Sequence, residues 1–176
     1  MADQRLLIVA VALPIVIVGA FAFTLFSSYF YTSVERLEEG IYVGYLAQDI
    51  DLTDLDGNFI RLGDYRGKVV VLEFSATWCG TCKAQLSVLK TLYNEYSGDD
   101  VVFITVDVDA SEEMLRQYRD SNDIPWVVAG SREAGVIYGV YSLPTIIIID
   151  KDGVIRFRQS NYVDYSTLVK VLDELV

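Results

Sequence analysis

The sequence predicts an α/β sandwich, a mixed central sheet flanked by helices, preceded by one N-terminal transmembrane helix. Three observations carry this expectation. Residues 6–34 contain no charged side chain. Beyond them, short apolar β-branched runs alternate with stretches of helical period. Near the end, a strand–turn–strand signature around Asp150-Lys151-Asp152-Gly153 adds an antiparallel pair.

The elements follow in order. Residues 6–26 read LLIVAVALPIVIVGAFAFTLF, 21 residues without a charge, and a helix of that length spans a bilayer core. Tyr29, Phe30 and Tyr31 stand where an interfacial aromatic belt lies. A cleaved signal peptide is the alternative, with Ala20-Phe21-Ala22 imitating its cleavage site. Arg5 and the terminal amine face Arg36 across the segment, a slim positive-inside margin that puts the N-terminus inside and the body outside. The expected organisation is a tail over 1–5, an anchor over 6–31, a linker over 32–46 and one domain over 47–176.

In that domain Asp56-Gly57 marks a hairpin turn between 50–52 and 59–62. Residues 68–75 (KVVVLEFS) read as a strand buried on both faces. Cys82, Leu86, Leu89, Tyr93 and Tyr96 fall on one helical face, and Ser97-Gly98 ends that helix. Residues 101–107 form a second buried strand. Ser111 caps a helix opened by Glu112 and Glu113. A short helix over 132–138 precedes strands over 145–149 and 154–158. Asp164 caps a last helix that buries Leu168, Val171, Leu172 and Leu175.

Composition narrows the function. The 176 residues carry a net charge of −11, and all of it lies beyond the apolar segment. An acidic body with pI near 4.3 argues against nucleic acid as a partner. With no histidine in the chain, Ser-His-Asp and Cys-His nucleophile pairs and imidazole metal sites are excluded. The two cysteines, Cys79 and Cys82, stand where a buried strand gives way to a helix. Two thiolates alone are too few for zinc. A structural disulfide is open, although so short a loop gains little from closure. A redox dithiol fits best, because a helix N-terminus offers free N–H groups and partial positive charge to a thiolate. Cys79, nearer the surface, is then the attacking thiol and Cys82, on the inward stripe, the resolving one. Glu73 interrupts the apolar strand six residues before Cys79. It is either a water-facing strand residue or a buried carboxylate beneath the dithiol, and burial would raise its pKa toward that of a neutral-pH base.

Two segments, LTDLDGNFIRLGDYRGKVVVLEFSATWCGTC (52–82) and YGVYSLPTIIIIDKDG (138–153), carry a family resemblance. The chain resembles the thioredoxin superfamily, and within it the membrane-anchored TlpA/ResA-like thiol–disulfide oxidoreductases, from about residue 47 to the end. The resemblance implies a thioredoxin-like fold with catalytic Cys79, Cys82 and Glu73, the last moving the proton of Cys82. It implies a cis Pro144 facing the active cysteine, and a substrate site formed by Trp78, Leu143 and Pro144, in which Leu143 lends its backbone to an extended peptide. No cofactor and no metal are implied. The partners implied are protein disulfide substrates, among them apocytochrome c, a membrane electron donor, and membrane lipid through the anchor. The localisation implied is the cell membrane, single-pass, with the catalytic domain extracytoplasmic.

Departures accompany the resemblance. Gln85 and Ser87 stand where this branch commonly has glutamate and proline, Thr81 replaces a common proline, and 101–107 lacks the lysine that usually partners the strand carboxylate. A disulfide oxidase and a non-catalytic binding module are the competing functions. Peroxiredoxins share the fold, but the P-x-x-x-T-x-x-C pattern meets Leu72 and Ala76 here. Sco-type copper chaperones need a C-x-x-x-C spacing and a histidine, and are excluded.

Overall fold

The structure is a computed structural model that describes Phe23 and residues 38–98 and 100–176. The segment expected to anchor the chain lies outside these residues. Among the described residues no helix is long and apolar enough to cross a membrane.

In chain order the elements are β1 (Glu39–Gly40), β2 (Leu46–Ala47), β3 (Asp51–Thr53), β4 (Phe59–Arg61), a 3-10 turn (Leu62–Tyr65), β5 (Val69–Ser75), α1 (Gly80–Tyr96), β6 (Val101–Asp107), α2 (Glu112–Ser121), β7 (Val127–Gly130), α3 (Arg132–Ile137), β8 (Thr145–Ile149), β9 (Ile155–Ser160) and α4 (Tyr165–Asp173). The central sheet runs β7-β6-β5-β8-β9. Strands β5, β6 and β7 are parallel, with α1 and α2 as crossovers, while β8 and β9 run antiparallel. This is the expected thioredoxin-like sandwich with a mixed sheet.

All seven residues of β5 are buried, as befits the middle strand of a sheet covered on both sides. Its alternating side chains sort the core into two halves. Val69 and Val71 pack with Leu86 and Leu89 of α1 and Leu168 and Leu172 of α4. Val70, Leu72 and Phe74 face the other way, onto Leu52 and Ile60 of the β3–β4 hairpin and onto Ala134 and Tyr138 at α3. Glu73 is in register with Val69 and Val71, so it belongs to the face covered by α1.

Local signals place the ends of the elements. Ser111 and Asp164 cap α2 and α4 by accepting from Met114 N and Thr167 N. The hairpin turns through Gly57 at φ 86°, a conformation that suits glycine. Two features were not expected. Residues 127–130 form a third parallel strand, β7, against β6. Residues 38–46, the C-terminal part of the linker read from the sequence, are folded: β1 pairs with β2, and Glu38–Val176 forms one compact unit.

Candidate active site

Strand β5 ends at Ser75, and four residues later Cys79 caps α1. Its Sγ accepts the N–H of Cys82 at 3.1 Å. The sulfur thus sits in the place of an N-cap oxygen, at the positive end of a 17-residue helix. A negative charge on that sulfur is stabilised by the same N–H and the same helix end. Cys79 and Cys82 are joined as a disulfide with Cα atoms 5.2 Å apart, so the described form is the oxidised one. Cys82 is the more deeply buried of the two, and Ala76 and Leu143 pack around the pair.

Cys79 opens into a groove of about 690 Å³ lined by Trp78, Val136, Val140, Tyr141 and Leu143. Three of these are large apolar side chains left to solvent: Trp78 is 67% exposed, Val136 75% and Tyr141 97%. Grouped around a reactive sulfur, they form the apolar rim of a binding surface. The indole N–H of Trp78 donates to Asp109 Oδ2 at 3.2 Å, which ties the ring to the loop after β6. The Leu143–Pro144 peptide bond is cis, and the buried Pro144 accepts the N–H of Asn161 at 2.7 Å.

Glu73 is 2% exposed, between Thr105 of β6 and Ile146 of β8. It is therefore buried and not a water-facing strand residue. Thr105 Oγ1 donates to Oε2 at 2.9 Å, while Oε1 has no hydrogen-bond partner among the described residues. Its pKa is raised to about 7. Desolvation is the main cause; the Thr105 hydrogen bond opposes it, and the nearby charge of Asp107 adds to it. The Tyr118 phenol is pushed up by burial and by the charges of Glu73 and Asp107.

The groove gathers Trp78, Cys79 and Leu143; Cys82 and Pro144 lie just behind it, and Glu73 lies within the sheet. Sequence reasoning missed Asp107, whose carboxylate holds the loops around the site. Its Oδ2 accepts from Thr77 N at 2.8 Å, and its Oδ1 accepts from Asp109 N and Ala110 N at 2.9 and 2.6 Å. An aspartate closing an apolar strand is a usable signal for such a role. Val136 and Tyr141 were missed as well, since an apolar side chain left outside looks like any other in a sequence.

Comparison with known proteins agrees with this fold. The AhpC/TSA family matches residues 43–158. The thiol–disulfide oxidoreductase ResA of Bacillus thuringiensis subsp. konkukian is 36% identical over 155 residues, covering 87% of this chain and 86% of that protein. The exposed lipoprotein thioredoxin of Streptococcus pneumoniae superposes with a TM-score of 0.63 at 31% identity, covering 73% of this chain and 100% of that one. The thioredoxin domain of a thiol–disulfide oxidoreductase from Bacteroides vulgatus does so with a TM-score of 0.67 at 25% identity, covering 74% and 98%. The chain belongs to the AhpC/TSA family and is a ResA-like thiol–disulfide oxidoreductase of the thioredoxin superfamily.

Proposed function

We propose that the protein is a single-pass membrane protein whose extracytoplasmic body reduces disulfides in exported proteins, apocytochrome c among them, with electrons from a membrane donor. Residues 6–31 cross the bilayer after a tail over 1–5, residues 32–46 lead into the body, and 47–176 carry the thioredoxin-like domain. The observation that carries the chemistry is the Cys79 sulfur, held on the α1 cap by the Cys82 N–H at the floor of an apolar groove.

In the reduced protein, Cys79 thiolate attacks a client sulfur. The client disulfide breaks and a Cys79–client disulfide forms. Cys82 then gives its proton to Glu73 and attacks Cys79 Sγ; the Cys79–Cys82 bond forms, the Cys79–client bond breaks, and the client sulfur that Cys79 held leaves with the electron pair. Trp78, Leu143 and Pro144 hold the client segment across the groove.

Cys82→Ser should accumulate mixed disulfides on Cys79, while Cys79→Ser traps nothing. Trapping through Cys82 would reverse the two roles. A thiol probe that cannot cross membranes should label reduced Cys79 in intact cells, and labelling only after lysis overturns the topology. Reduction potential tests the direction of electron flow: a value near −270 mV suits a reductant, and one near −120 mV makes the protein an oxidase instead.

A further inference from the structure

Glu73 ends a chain of two hydrogen bonds that starts on the far side of β6. Trp126 Nε1 donates to Thr105 Oγ1 at 3.0 Å, and Thr105 Oγ1 donates to Glu73 Oε2 at 2.9 Å. All three side chains are buried. The indole ring is held by Tyr93 and Phe103, with ring centroids 5.3 and 5.8 Å away. An indole N–H can only donate, and a hydroxyl carries one proton. Trp126 therefore occupies an acceptor site of the Thr105 oxygen and directs its proton to Glu73. Oε2 stays an acceptor whether Glu73 is charged or neutral, and a proton on this carboxyl sits on Oε1. That oxygen has no partner among the described residues, on the face covered by the helix that carries Cys82.

We propose that Thr105, oriented by Trp126, is a positioning residue for the release step: it keeps Oε2 occupied, so that Oε1 is the atom that receives the proton of Cys82. This rests on Glu73 being the base of that step. Cys82 Sγ loses its proton to Oε1 and attacks Cys79 Sγ, the Cys79–client bond breaks, and the client sulfur leaves as a thiolate with the electron pair. The Thr105 hydroxyl also favours ionised Glu73, because it bonds an anion more strongly than a neutral carboxyl. Asp107 on β6 and Tyr118 on α2 are coupled to Glu73 by charge. The same face is covered by Leu86 and Leu89 of α1, the helix that opens with the dithiol, and by the apolar Ile146 of β8 and Leu168 of α4.

The test uses the full-length reduced chain in detergent and dithiobis-nitrobenzoate, an aromatic disulfide. Attack by Cys79 liberates one coloured thiolate and release by Cys82 a second, so the second phase reads the step. Thr105→Val should move the pH midpoint of that phase upward by about one unit and slow it about tenfold below the midpoint. Thr105→Ser should restore both. Trp126→Phe frees the hydroxyl to rotate and should move the midpoint the same way by less. Glu73→Gln should flatten the profile. If Glu73→Gln flattens it while Thr105→Val leaves the midpoint in place, the positioning role is overturned and Glu73 remains the base. If Glu73→Gln keeps the wild-type midpoint, the reading of Glu73 fails, and the role of Thr105 with it. Should Thr105→Val not fold, Trp126→Phe carries the same test, and an unmoved midpoint there overturns the proposal.

Discussion

Gln85 of α1 grips the backbone of Val163 from both ends of its amide: Nε2 donates to Val163 O at 3.2 Å, and Oε1 accepts the Val163 N–H at 2.8 Å. The side chain is fully buried. It thereby ties the helix of the dithiol to the loop before α4, and it satisfies two backbone groups that water does not reach. This accounts for an amide where the resemblance leads one to expect a glutamate. An ionised carboxylate has no proton to give Val163 O.

Gln85→Glu should therefore destabilise the protein by about 1–3 kcal/mol at neutral pH. The introduced carboxyl must keep its proton to bond Val163 O, so its folded pKa lies above the unfolded value of about 4.3. Below that value both states are protonated and the variant should melt near the wild type. The penalty grows as pH rises to the folded pKa and stays constant above it. Gln85→Leu should lose stability at both ends of the range. Thermal melts at low and neutral pH distinguish the two.

Glu73→Gln should show the opposite dependence on pH. Wild-type Glu73 is raised to about 7 by burial, against about 4.3 in the unfolded chain. Near pH 4 both states hold the proton. As pH rises the unfolded chain ionises first, and folding is penalised until the folded group ionises as well. At about 1.4 kcal/mol per pH unit between those values, the variant should gain about 3 kcal/mol on the wild type between pH 4 and 8. The amide placed at the unpartnered Oε1 position costs a roughly constant amount, so it shifts both ends equally. Parallel denaturant titrations at the two pH values measure the difference. An equal gap at both would show that Glu73 does not titrate in this way.

Asp107→Asn should loosen the site. Three N–H groups converge on two oxygens, so either orientation of an asparagine turns its NH₂ toward at least one of them. A loss of about 1–3 kcal/mol is expected. Removal of the nearby negative charge should also lower the pKa of Glu73. The release phase should then show a lower pH midpoint, measured with the same aromatic disulfide.

Tyr141→Ala removes the most exposed part of the groove rim. The expected result is a fall of about five- to tenfold in kcat/KM toward a folded protein client, equivalent to about 1 kcal/mol. A small aromatic disulfide, which cannot reach along the groove, should be affected less. Equal losses for both substrates would mean that Tyr141 acts on the dithiol and not on the client.

What could be read from the chain was local. The strands at 68–75, 101–107 and 145–149, the inward stripe that starts at Cys82 and the caps at Ser111 and Asp164 all depend on neighbours within a turn or a strand. Strand β7 could not be read in this way: its four residues follow Pro125 and Trp126 and gain their ladder from β6 and a further hydrogen bond from Leu55 N to Val128 O, both distant in the chain. The folding of residues 38–46 escaped for the same reason, since β1 and β2 are two residues each and are held by pairing.

The site divides along the same line. By itself the sequence determined the dithiol, its place at a helix N-terminus and the carboxylate set in an apolar strand, because spacing and polarity along one segment suffice for those. Only the tertiary structure decided what surrounds that carboxylate. Thr105, Trp126 and Asp107 come from β6 and from the segment before β7, and sheet pairing places Thr105 beside Glu73. Thr105 holds only one oxygen of Glu73, because a hydroxyl has a single proton and an indole N–H cannot accept one; the other oxygen has no partner among the described residues, an arrangement that arises only once three distant residues meet out of reach of water.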